Sequence, residues 1–171
     1  RRIRPPRARH RIFHPHSMIK KILLGLVTVI ALILIVAAFQ PGEFQVKRSL
    51  AIAAPAQALF EQVNDHRKFV AWNPWGKVDP NLKKTFSGPA TGVGAVCSWQ
   101  GNSDVGAGSS TITESKPGEL VRLRMDWKEP MEGTSTVDFI FKPEGGKTVM
   151  TWHMYGPQSY AGKVMCLFMN M

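Results

Sequence analysis

The chain reads as an α+β protein. It combines an antiparallel sheet of about seven strands, two short helices inserted after the first strand, and one apolar helix ahead of everything. Three observations predict this. Residues Ile22 to Phe39 hold no charge and no proline. From Pro55 to Trp72 apolar residues recur at helical spacing. From Leu82 to Tyr155 the period drops to two, with Gly and Pro turns between short runs.

The N-terminal helix is a membrane span by length and composition. Eighteen residues of helix rise about 27 Å, close to the roughly 30 Å hydrocarbon core. A soluble helix of that length needs a polar face, and this one has none. Six arginines and Lys20-Lys21 precede the run, and Gln40-Pro41-Gly42-Glu43 follow it. The basic side is therefore expected in the cytoplasm and everything from Gln40 on outside it. A cleaved signal peptide is the competing reading, because Lys20-Lys21, the apolar run and Val36-Ala37-Ala38 also fit such a leader. The run exceeds the roughly 7 to 15 residues of a signal h-region, which favours an uncut anchor over residues 18–41. Both readings export the domain, and the expected setting is a single pass through the bacterial cytoplasmic membrane.

The formal net charge of +10 is not spread over the chain. Residues 1 to 21 carry six Arg and two Lys without an acid, so 22 − 8 = 14 basic residues face 12 acidic ones in the rest, a net of +2. No basic stripe runs along the domain, and nucleic acid is not an expected partner. The arginine-rich segment at 1–17 suits anionic headgroups, or it is not native sequence, since Met18-Ile-Lys-Lys is a natural beginning for an exported chain. The two cysteines, Cys97 and Cys166, are read as small buried hydrophobes rather than a disulfide. Oligomeric state is left open.

Residues 42–171 then give one domain of ordinary size. Phe44, Val46, Leu50 and Ile52 mark a first strand, broken before by Pro41-Gly42. Pro55 suits a first helical turn, with Ala56, Leu59, Phe60 and Val63 on one face. Asn64-Asp65 ends that helix and caps a second, carrying Phe69, Val70 and Trp72, which Asn73-Pro74-Trp75-Gly76 stops. Strands follow at Leu82–Phe86, Gly94–Gln100 and Ser109–Ser115. In Leu120–Lys128, residues Val121, Leu123, Met125 and Trp127 face one way and Arg122, Arg124, Asp126 and Lys128 the other. Val137, Phe139 and Phe141 alternate with Asp138, Ile140 and Lys142, and Met150, Trp152 and Met154 join the apolar face from a last strand ended by Gly156-Pro157. The connections are too short for crossovers, so the strands pair antiparallel.

Two short helices cannot cover seven strands. Lys163 to Met171 is apolar enough to begin a helix, and a longer C-terminal helix, truncated here, is expected to supply the missing cover.

Three stretches carry a resemblance to a known family: Ile52-Ala-Ala-Pro55 before Leu59-Phe60; Phe69-Val-Ala-Trp72-Asn-Pro74-Trp75 with Asp79-Pro80; and Gly108 to Lys116 with Pro117-Gly118-Glu119-Leu120. In this order they resemble the SRPBCC (START and Bet v 1 related) superfamily, and within it the polyketide cyclase/dehydrase branch, over Glu43 to about Gly156. The resemblance implies a helix-grip fold, in which a sheet curls around a C-terminal helix and encloses an apolar cavity for lipids, polyketides or other hydrophobic small molecules. Trp72, Trp75, Trp99, Leu123, Met125, Trp127, Phe139, Phe141, Met150, Trp152 and Met154 are the expected lining. Taken one at a time, each is better explained as core packing; only the set with the fold favours a cavity.

No catalytic constellation is visible. His153 and Glu114 fall within strands but show no partner. His10, His14 and His16 have no carboxylate or cysteine beside them, so no metal is expected. Gly92-Val93-Gly94 lacks the rest of a dinucleotide fingerprint, and Ser109, Ser110 and Ser159 lack a nucleophile-elbow context, so no cofactor is expected. The expected function is a membrane-anchored domain that binds or carries a hydrophobic small molecule or lipid. Two alternatives stay open: a cyclase or dehydratase that works by shaping its substrate, and a cell-envelope interaction domain without a ligand.

Overall fold

The computed structural model describes residues 15–166. Residues 1–14, with most of the basic segment and two of its histidines, and residues 167–171 lie outside the described residues. The element order is α1 (Pro15–Ala38), β1 (Glu43–Ile52), α2 (Ala56–Asn64), α3 (His66–Trp72), α4 (Trp75–Val78), β2 (Lys83–Ser87), β3 (Val96–Gln100), β4 (Ala107–Lys116), β5 (Leu120–Glu129), β6 (Gly133–Glu144), β7 (Lys147–Pro157) and α5 (Tyr160–Cys166). The architecture is α+β with a seven-stranded antiparallel sheet, as the alternation predicts.

The chain forms two compact units. One pairs α1 with α5. Met18–Ala38 is long and apolar enough to cross a membrane and is almost wholly exposed, unlike the core helix of a soluble protein. At its C-terminal end, Tyr160 Oη donates to the Leu34 carbonyl at 2.6 Å and Lys163 Nζ to the Gln40 carbonyl at 3.0 Å. The lysine thereby pairs with a backbone carbonyl just past the end of the helix.

The other unit holds the sheet, ordered β1-β7-β6-β5-β4-β3-β2, with α2, α3 and α4 against one face. Its core gathers Phe60 and Val63 from α2 with Ile112, Val121, Leu123, Val137, Phe139 and Phe141 from the strands. Phe60 meets Phe141 edge-on at 6.3 Å, and α2 is seated over β5 and β6, near the end of β6 that turns into β7. The Asp65 side chain accepts from Arg67 N at 2.8 Å and starts α3, which turns the next apolar side chains toward the sheet.

Two local readings change. Where the sequence pattern stops after two helices, a third turn begins, because Pro74 takes an N-cap position and its carbonyl accepts from Lys77 N at 3.0 Å. β7 runs two residues further than expected, with Gly156-Pro157 as its last two residues. A Cβ at Gly156 would stand 3.0 Å from Ser135 Cα, so the glycine is there to let β6 and β7 approach.

The opposite sheet face carries a row of polar side chains at matching register: Glu114, Arg122, Asp138 and His153. Arg122 donates to both Asp138 carboxylate oxygens, at 2.7 and 3.0 Å, and to Glu114 at 2.6 Å. Glu114 also meets Lys116 at 2.7 Å, so this carboxylate, expected to stand without a partner, is doubly paired. Hydrogen bonding to Lys116 holds its carboxyl below the usual range. His153 is half-buried beside Tyr155, ring centres 4.8 Å apart, and its Nε2 has no hydrogen-bond partner.

Asp138 is 6 % exposed, so its charge depends on Arg122. Replacing Arg122 by Leu is expected to cost about 2 kcal/mol in denaturant unfolding, less than a fully buried pair because the arginine is partly wet. Replacing Asp138 by Leu as well should recover much of that loss.

Candidate ligand cavity

Packing α2 over one end of the sheet leaves the inner face under α3 and α4 unfilled. A partly open cavity of about 350 Å³ occupies that space. Its floor comes from the inward positions of β3 to β7, its roof from His66, Phe69 and Val70 of α3 with Asn73 and Trp75, its side from Leu82, Lys84 and Val105, and its exposed rim from Ser103, Asp104, Glu129 and Pro130.

Of the residues expected to line a cavity, Trp75, Trp99, Leu123, Met125, Trp127, Phe139, Trp152 and Met154 stand on this wall. Trp72, Phe141 and Met150 do not. Trp72 is half exposed and lies edge-on to Phe69 at 5.0 Å, its indole N–H 3.4 Å from the Gln62 carbonyl, so it joins α3 to α2. Phe141 and Met150 are register partners at the sheet end that α2 already fills.

The floor is stiffened by aromatic contacts. Trp99 and Trp127 meet edge-on at 5.6 Å, and Trp127 Nε1 donates to Ser135 Oγ at 2.9 Å. Gly108, between these strands, has a reason to be glycine. A Cβ there would come within 2.7 Å of both the Trp99 ring and the Asp126 carbonyl.

Polar groups collect toward the β2 and β3 edge. Cys97 and Ser110 are directly opposite each other on β3 and β4. His66 is 3 % exposed, and its Nε2 lies 3.2 Å from the Ala95 carbonyl. A carbonyl only accepts, so Nε2 carries the proton and Nδ1, which has no partner, is a bare acceptor. Burial pushes the His66 pKa below its ordinary 6.5, against the opposing pull of the Ala95 carbonyl. Burial raises the Cys97 thiol, partly offset by the nearby Lys84 ammonium. A thiol whose pKa is raised by burial is not an activated nucleophile. The corner is built for hydrogen bonding within an apolar chamber.

Sequence reasoning missed His66, Asn73, Lys84, Cys97 and Ser110. For Cys97 the signal was present, since it alternates with Trp99 on β3.

The family model for Activator of Hsp90 ATPase homolog 1-like protein matches residues 53–165, about two-thirds of the sequence and all of this sheet unit after β1. The chain belongs to that family. It is thereby a member of the SRPBCC superfamily, as the motif order suggests. Solved structures similar to the chain include Ara h 8.0201, 10% identical with a TM-score of 0.50, covering 71% of this chain and 85% of that one. The Aha1 dimer from Colwellia psychrerythraea is 13% identical with a TM-score of 0.49, covering 73% and 90%. Major latex-like protein 151 from Panax ginseng is 12% identical with a TM-score of 0.49, covering 73% and 94%. At such identities the likeness is one of fold alone. No curated protein matches the chain in sequence.

His66 also makes the family domain sensitive to acid. With its folded pKa depressed, the unfolded chain takes up the proton more readily, so the His66 contribution is fully present above 6.5 and shrinks as pH falls through that value. The thermal midpoint of the full chain should therefore drop between about pH 7.5 and 5.5. A His66→Gln variant should show a flatter profile over that window.

Proposed function

We propose that this family member binds an apolar small molecule, lipid-like in character, in the cavity beneath α3, and that α1 holds it at a membrane. The observation that carries the reading is the chamber itself: about 350 Å³, walled by Trp75, Trp99, Trp127, Phe139, Trp152, Met125 and Met154. That size falls within the range of small-molecule sites. Tryptophan and methionine offer wide, polarizable surface that adapts to an irregular guest, which suits binding better than a single packed core.

The anchor supports the same reading. An exposed apolar helix from Met18 to Ala38 has no stable place in water. Lys20 and Lys21 at one end, with Tyr160 and Lys163 against the other, match the groups that favour the two bilayer interfaces. On this account the basic end stays in the cytoplasm, the sheet unit works on the other side, and an apolar ligand exchanges with the bilayer nearby.

Native mass spectrometry of the full chain released from lipid nanodiscs tests the reading. A co-purified apolar molecule of constant mass is the expected result. Met125→Trp places an indole inside the chamber and should reduce retention at least about tenfold while leaving the circular dichroism spectrum unchanged. No retained molecule in the parent protein, after delipidation and reloading with a mixed lipid extract, would exclude the carrier role.

A further inference from the structure

The inward positions of β2 are Lys84 and Phe86, with Leu82 just ahead of the strand, and Lys84 breaks the apolar pattern these residues set. Lys84 is half-buried, lines the cavity, and pairs in register with Trp99. Its Nζ stands 3.4 Å from where a Cβ at Gly76 would be, so it reaches across to α4, where a glycine leaves room for it. Among the described residues no carboxylate lies within 4 Å of this ammonium, and no side-chain hydrogen bond holds it. Asp104 and Glu129 line the same cavity, but both are exposed at the rim and solvated. A half-buried cation against tryptophan without a counter-charge is costly unless something else supplies one.

We propose that the ligand is an anionic amphiphile, an apolar body ending in a single carboxylate, and that Lys84 pairs with that carboxylate while the body lies over Trp99, Trp127 and Phe139. This deepens the binding function proposed above and rests on it. Among the described residues Lys84 is the one lysine or arginine that lines the chamber, and burial disfavours a charge on His66. The edge it occupies also holds Cys97 and Ser110, whose S–H and O–H groups are donors suited to the second carboxylate oxygen. A neutral ester or alcohol of the same body fills the apolar part equally but leaves the ammonium unpaired.

The test uses tryptophan quenching in the full chain reconstituted in nanodiscs. All five tryptophans lie between residues 72 and 152 and none in α1, so quenching reports on the sheet unit. The probes are a bromine-tipped dodecanoic acid and its methyl ester. The acid should bind about ten- to a hundredfold more tightly than the ester. Lys84→Met keeps the aliphatic stem and should erase that preference without changing ester binding, while Lys84→Arg should preserve it. Equal quenching by acid and ester in the parent, unchanged in Lys84→Met, overturns the role of Lys84 and leaves the apolar cavity standing. Absence of quenching by either probe overturns the cavity function and this proposal with it.

Discussion

The structure turns on unequal cover of one sheet face. Seven strands present a broad apolar surface, and the helices between β1 and β2 are only nine, seven and four residues long. Burial of apolar side chains drives α2 down onto Phe141 and its neighbours, where Phe60 and Val63 become nearly inaccessible. What α2 covers becomes core. What α3 merely bridges stays hollow among the described residues, because Phe69 reaches Phe139 at 5.6 Å while the cavity opens over Trp99 and Trp127.

The hollow persists because both of its walls are fixed from elsewhere. Below, the sheet is tied on its outer face by Arg122 with Asp138 and Glu114 across three adjacent strands, a fork geometry that resists shear between them. Above, α3 is capped by Asp65 and joined to the sheet by His66 and the Ala95 carbonyl. At the rim, the buried Asp79 carboxylate accepts from Asn81 N and Asn102 N, clasping the loop after α4 to the loop after β3. None of these contacts needs a ligand, so the chamber is organised before anything enters it, which lowers the ordering cost of binding.

Much of this was legible in the sequence, because period-two alternation states which face a side chain takes. Leu123, Met125 and Trp127 were placed together on β5, and Phe139, Trp152 and Met154 beside them, by that rule alone. The rule does not say where along a strand the helical cover ends. Phe141 and Met150 share the face but sit under α2, so they are packing. Trp72 failed for a different reason: helix rotation sends it toward α2 rather than over the sheet. His66 gave no signal, since an imidazole at the first turn of a short helix looks like any capping-region residue. Lys84 did give one, as a charge at an inward position between Leu82 and Phe86, but beside Lys83 it reads as an ordinary polar strand. The family match reaches the same fold by another route and covers the sheet unit from the end of β1 onward.

The central claim is that the space between α3 and the Trp99–Trp127 pair is an open apolar chamber rather than a filled interior. A crystal of the full chain pressurised with xenon addresses it directly, since apolar cavities of this kind take up the gas while packed cores exclude it. The account predicts xenon density bounded by Phe69, Trp99, Trp127 and Phe139, or a bound apolar molecule already in its place. Side chains closed together there, with neither xenon nor guest between them, would contradict it.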